Sequence, residues 1–348
     1  MLFVSLTLGF KESVGTLFES MQSFISTNFG WFYVLGANII LFFCAYVGLS
    51  RYKNIRLGGA DCKPEFSTWA WLSMLFNAGI GLILMFYSVA EPIIHFSNPP
   101  YGTPESLSAA KNALNISYLH WGFHGWAIYA LMGLSVAFFS YNQGLPLGIR
   151  WILYPLLGDK LKGSMGHFID VMAVVATVFG LATTLGLGIQ HINSGMHYLF
   201  DLEMTTNVQV ILIILITLVA TASVVSGLYR GIQLLSKIAA IMAVLLMLFM
   251  LISGPTLFIL RSAIESVGYY LQNLIVSGSW MEAYQGGHWM DSWTFFYWGW
   301  WFAWAPFVGL FLARISKGRT IKEFILGVVL APTGLTIIWI AIFGSTAL

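Results

Sequence analysis

Residues 291–313 read Asp291-Ser292-Trp293-Thr294-Phe295-Phe296-Tyr297-Trp298-Gly299-Trp300-Trp301-Phe302-Ala303-Trp304-Ala305-Pro306-Phe307-Val308-Gly309-Leu310-Phe311-Leu312-Ala313, and Arg314-Ile315-Ser316-Lys317-Gly318-Arg319-Thr320-Ile321-Lys322-Glu323 follow. No acid or base interrupts Trp293 to Ala313, a run long enough for a helix to cross a hydrocarbon core of about 30 Å. Tryptophan ordinarily marks the headgroup ends of such a helix, yet here Trp298, Trp300, Trp301 and Trp304 continue into its middle. At about 100° per residue Trp300, Trp301 and Trp304 share one third of the circumference, with Phe307 beside them. Pro306 lacks a backbone donor and is expected to kink or break the helix. The stripe reads either as an aromatic packing face or as a set of indole faces for a cation with no N–H to donate.

The surrounding chain fixes the class. It is 58% hydrophobic and 9% charged, with a mean hydropathy of +0.80, and a soluble chain of 348 residues would carry far more surface charge. Eight runs have spanning character, at 31–50, 67–90, 119–140, 167–190, 208–228, 234–256, 293–313 and 321–345. Arg51, Lys53, Arg56, Lys63, Arg150, Lys160, Lys162, Arg230, Lys237, Arg314, Lys317, Arg319 and Lys322 follow alternate spans. Only Lys11, Lys111 and Arg261 of the 16 basic residues lie opposite, so the richer loops are cytoplasmic. Cys44 and Cys62 are expected to be free thiols. No signal-peptide cleavage site precedes the first span, and the net charge of +2, held in short clusters between apolar runs, carries no nucleic-acid signature. This is an all-α polytopic membrane protein of about eight helices, located in the inner or plasma membrane.

Three stretches inside the spans are distinctive. Asn77-Ala78-Gly79-Ile80-Gly81 places two glycines in mid-span, where they either admit a neighbouring helix or allow local unwinding. Trp121, Trp126 and Tyr129 occupy one side of the third span with Gly122 and Gly125 between them, which leaves a recess. His120 and His124, four apart, have no evident acidic partner and read as packed or wetted histidines rather than zinc ligands. Thr183 and Thr184 stand in a glycine-rich membrane helix, not a nucleotide loop, and such hydroxyls commonly bond back to their own helix. Beyond Pro255, the apolar spacing of Leu257, Leu260, Ile264, Val267, Leu271 and Leu274 predicts an amphipathic exterior helix.

The string Trp-Thr-x-Phe-Tyr-Trp-x-Trp-Trp-x-x-Trp-x-Pro-Phe-Val-Gly from Trp293, closed by Ala313-Arg314-Ile315-Ser316 and Gly318-Arg319-Thr320-Ile321, strongly resembles the signature of the betaine/choline/carnitine transporter family. Lys63-Pro64-Glu65-Phe66-Ser67, Ala90-Glu91-Pro92 and Gly144-Leu145-Pro146-Leu147 are family-like as well. Many members have Met and Gly where this chain has Ile80 and Ile83.

The resemblance implies a partial inverted-repeat (LeuT-like) transporter fold. It assigns 1–30 to an exterior linker or amphipathic segment and 31–66 to a peripheral helix and cytoplasmic loop. The first five-helix repeat takes 67–256, an exterior helix and loop 257–290, and the first two helices of a second repeat 291–348. Discontinuities are expected at Gly79–Gly81 and near Pro306. One more helix before Met1 and three after Leu348 would complete that fold. The implied activity is secondary uptake of a quaternary-ammonium solute (glycine betaine, choline, carnitine) or a sulfonium analogue by Na⁺ symport, with no enzyme chemistry and no cofactor. The alternative is a fragment or sensor that binds without transporting.

On the family pattern Trp121, Trp126, Tyr129 and Trp301 form the cage for the trimethylammonium group, and Trp300 and Trp304 line the path beside it. Asn77, Ala78, Gly79, Ile80, Gly81, Thr183, Thr184 and Phe307 are the candidates for contacts to Na⁺ or a substrate carboxylate. No acid stands in the glycine stretch, which favours Na⁺ and a zwitterion. The expected partners are the solute, Na⁺, the lipid bilayer and two further copies in a homotrimer.

Overall fold

The computed structural model describes residues 2–79, 81–226, 231 and 233–348. Helices account for the ordered structure, and the described residues contain a single isolated β-bridge, Arg56 to Thr320. In chain order the helices are α1 (Leu2–Gly9), α2 (Lys11–Leu49), α3 (Thr68–Gly79), α4 (Leu82–Ser97), α5 (Leu107–Trp121), α6 (Phe123–Tyr141), α7 (Tyr154–Leu157) and α8 (Ser164–Phe200). They continue with α9 (Thr206–Val225), α10 (Gln233–Ser253), α11 (Thr256–Gly278), α12 (Trp289–Ser292), α13 (Thr294–Ile315), α14 (Ile321–Ile325) and α15 (Ala331–Ala347), the last two joined by a π-helical turn over Leu326–Leu330. Among the described residues seven helices are long and apolar enough to cross a membrane. The chain is a multi-pass membrane protein.

Several expectations change. Of the expected exterior linker or amphipathic segment at 1–30, residues 2–9 and 11–30 are helical, and 11–30 run without interruption into the first span as α2. The span 67–90 is divided at Gly79–Gly81 as expected, into α3 and α4, but α4 runs past residue 90 to Ser97 with Pro92 inside it. The expected span 119–140 begins at Leu107, where the Ser106 hydroxyl caps α5 by accepting from the Ala109 N–H at 3.2 Å. It is interrupted at Gly122 (φ −103°, ψ −138°), so Trp121 ends one helix while Trp126 and Tyr129 belong to the next. Pro306 does not break α13. The carbonyl left without its partner is therefore that of Phe302, four residues earlier.

Loops from distant parts of the sequence meet on one side, as the distribution of basic residues requires. Leu57 N–H donates to the Arg319 carbonyl (2.9 Å), and Gly318 N–H donates to that of Leu57 (2.8 Å). The Arg319 guanidinium donates to the Phe66 carbonyl at 2.8 Å and lies over the Trp71 ring at 4.7 Å. Thr320 and Glu323 form a reciprocal capping box that starts α14. On the other side Lys111 pairs with Glu265 at 2.6 Å and Asn115 donates to Ser277 at 2.8 Å. These bonds hold α11, the expected amphipathic helix, against α5. Arg230 lies outside the described residues.

The core follows the seam between α6 and α13, the most extensive helix–helix contact among the described residues. Trp126, Trp298, Tyr118 and Tyr270 are completely or almost completely buried there and nearby.

Candidate functional site: an aromatic cage

Gly125 on α6 explains why the seam closes so tightly. A Cβ at that position would overlap the indole of Trp301, so the recess read from the sequence is real and Trp301 fills it. Around Trp301 stand Tyr129 (ring centroids 4.6 Å apart), Trp126 (5.7 Å) and Trp121 (6.4 Å), all tilted or edge-on. Trp121 also meets Trp300 edge-on at 5.8 Å. These are the separations and attitudes that ring quadrupoles prefer.

A cavity of about 430 Å³ opens against these rings, and its lining includes Trp121, Tyr129, Trp300, Trp301, Trp304 and Phe307. Trp126 stands behind, packed against Tyr129 at 5.8 Å and 1% exposed, so it supports the cage rather than facing the cavity. Gly81, Ile83 and Thr184 line the same cavity from the other side. The glycine break and the fourth expected span thus converge on the aromatic rings.

The two threonines separate. Thr183 donates to the Phe179 carbonyl at 3.0 Å and faces a neighbouring cavity of about 610 Å³. The Thr184 hydroxyl is buried beside the cage with no hydrogen-bond partner among the described residues. Asn77, Ala78 and Gly79 lie in the last turn of α3, but their side chains and Ile80 fall outside the described residues. Phe307 is half exposed, its ring 5.5 Å from that of Trp304.

Behind the cage lies a polar network that the sequence reading missed. The Glu91 carboxylate is completely buried and has four hydrogen-bond partners. Trp121 Nε1 and Tyr297 Oη donate to one oxygen at 2.8 and 2.7 Å. His120 Nδ1 and His95 Nε2 lie 2.6 and 3.3 Å from the other. His120 Nε2 is 2.9 Å from Thr294 Oγ1, its ring stacks on Tyr297 at 4.3 Å, and its carbonyl accepts the Trp301 indole N–H at 2.9 Å. His120 therefore has the acidic partner that the sequence did not reveal. Ligand atoms of Glu91, His95 and His120 lie within 4.8 Å of one another. His124 diverges, contacting Asn38 Oδ1 at 3.2 Å.

The missed signal was Glu91 and His95 at helical i, i+4 spacing, together with the rarity of an acid inside a span. Ending the span at residue 90, before Pro92, placed both outside it.

A family profile described as "BCCT, betaine/carnitine/choline family transporter" matches residues 1–348. Over 347 residues, covering 100% of this chain, the sequence is 41% identical to a protein of Acinetobacter baylyi named "Glycine betaine transporter". It is 44% identical, over 97% of this chain, to "Glycine betaine transporter OpuD" of Bacillus subtilis. It is 41% identical, over 100% of this chain, to "High-affinity choline transport protein" of Escherichia coli. The matched regions are 53%, 66% and 52% of those relatives, so the chain spans about half to two thirds of their length. With these matches and the cage in place, the chain belongs to the betaine/carnitine/choline transporter family.

Proposed function

We propose that this protein takes part in secondary transport of a quaternary-ammonium solute of the glycine betaine or choline type, coupled to Na⁺. The observation that carries the reading is the cage of Trp121, Trp126, Tyr129 and Trp301 beside one cavity. A trimethylammonium group has no N–H and cannot be recognised by acceptors. It gains instead from desolvated ring faces, at about 2 kcal/mol for a close contact. A volume of about 430 Å³ falls within the usual span for small-ligand sites, roughly 300–1,000 Å³.

Among the described residues the cavity lining contains no acid or base. A zwitterion suits such walls because it brings its own counter-charge. The unpartnered Thr184 hydroxyl and the backbone near Gly81 offer oxygen ligands of the kind a hard cation takes. These features support Na⁺ coupling and a betaine as the first solute to test.

The purified protein is expected to bind radiolabelled glycine betaine or choline in a scintillation proximity assay. Trp301→Leu keeps apolar bulk but removes the ring quadrupole, so affinity should fall on the order of thirtyfold. In proteoliposomes, uptake should require a Na⁺ gradient and persist with a protonophore. Unchanged affinity in Trp301→Leu overturns the cage, and uptake that ignores Na⁺ overturns the coupling.

A further inference from the structure

We infer that Glu91 is the positioning residue of the aromatic cage, fixing the plane and polarity of Trp121 for a quaternary-ammonium ligand. The inference rests on reading the cavity as that ligand's site. Glu91 lines neither of the two cavities that adjoin the aromatic rings, so whatever it does for a ligand it does through other side chains.

Three links run from Glu91 to the cavity wall. The first is direct, the 2.8 Å bond from the Trp121 indole. The second passes through Tyr297, whose hydroxyl donates at 2.7 Å and whose ring meets that of Trp121 edge-on at 5.3 Å. The third passes through His120, held at 2.6 Å by its ring, while its carbonyl accepts the Trp301 N–H at 2.9 Å. Two of the four cage rings are thereby orientated through one carboxylate, from α5 and from α13.

The need is local. The chain breaks from helix at Gly122, immediately after Trp121. Trp121 is thus the cage residue least held by its own backbone. A buried carboxylate is costly unless fully bonded, and four hydrogen-bond partners meet that requirement here. The 2.8 Å bond from Trp121 Nε1 to this carboxyl oxygen fixes the indole plane. It also draws the indole proton toward the carboxylate, which leaves the ring face richer in electrons for a cation.

The test is a double-mutant cycle on the purified protein with radiolabelled choline as probe. Trp121→Phe keeps a ring but removes the N–H, and Glu91→Gln removes the charge while keeping one acceptor oxygen. Glu91→Gln is expected to weaken binding roughly tenfold alone and only about threefold in the Trp121→Phe background, where the links through Tyr297 and His120 remain. The indole N–H Raman band of Trp121, isolated as the difference from Trp121→Phe, should move toward weaker hydrogen bonding in Glu91→Gln. Equal losses in both backgrounds, or an unmoved band, overturn the inference. Should Glu91→Gln fail to fold, Glu91→Asp carries the same cycle, with the carboxyl withdrawn by one methylene. If no variant binds a quaternary ammonium, the functional reading fails, while the band still decides whether Glu91 holds Trp121.

Discussion

The two sides of the cavity are built differently. The side made by α5, α6 and α13 is buried, and Trp121 and Trp301 each combine ring contacts with an indole N–H bond. The opposite side includes α8, which reaches the cavity through Thr184 and elsewhere presents apolar surface, with Phe168, Val171, Met172, Val174 and Val178 among its exposed residues. Its buried positions are Gly166, Gly180, Gly188, Ile189 and Asn193. Glycines let helix backbones approach in a bilayer, where apolar association gains nothing over lipid. One wall is specified by interlocking side chains, the other by the absence of them. Ligand geometry should therefore be set by the first wall and only trimmed by the second.

The largest effect expected from this contrast is at Gly125. Gly125→Ala puts a methyl into the Trp301 indole, and the ring must leave its place. Overpacking of this kind costs about 1–3 kcal/mol, so glycine betaine affinity should fall on the order of a hundredfold at the upper end. Equilibrium binding checks it, and a loss below threefold would mean that the first wall is as compliant as the second. Gly180→Ala is next. The added carbon would lie 2.6 Å from Trp304 Nε1, whose ring meets that of Phe307 rather than the four cage rings. A roughly tenfold loss in the same assay is expected; a loss equal to that of Gly125→Ala would erase the distinction between the walls.

The smallest effects separate the two threonines. Thr184→Val removes the unpartnered hydroxyl beside the cage and should raise the Na⁺ concentration for half-maximal uptake about threefold. Thr183→Val removes a hydroxyl already bonded to its own helix and should change that value less than twofold. A reversed order would move the ion contact to the neighbouring cavity. Gly186→Ala on the same helix, where a Cβ meets nothing within 4 Å, should bind like the parent protein.

Much of this was legible in the sequence. Tryptophans at helical spacing within an uncharged run place Trp300, Trp301 and Trp304 on one face, and Gly125 foretells a recess. The spans follow from apolar length, although 67–90 extends further than that length suggests. What escaped depended on tertiary contacts. Pro92 reads as a stop, yet α4 passes through it to bury Glu91 and His95. Pro306 reads as a break, yet α13 continues, packed along α6. A proline costs a helix one hydrogen bond and a clash, about 3 kcal/mol, which neighbouring helices can outweigh. The partners of Glu91 lie 29, 30 and 206 residues away for His120, Trp121 and Tyr297, and no local pattern links them.

Those separations also impose an order in time. The bond from the Trp301 indole to the His120 carbonyl spans 181 residues, and that from Arg56 to the Gly318 carbonyl spans 262. A ribosome adds about 5–20 residues per second, so Arg56 waits on the order of ten to fifty seconds for its acceptor to be made. The Glu91 carboxylate enters the bilayer well before Tyr297 exists. During that interval its bonds must come from His95, His120, Trp121, water or the insertion machinery. The cage is therefore a late product of synthesis, closed only when α13 slides in beside α6. Slower elongation through the codons for 294–315 would lengthen the period in which a buried acid lacks one of its four hydrogen-bond partners.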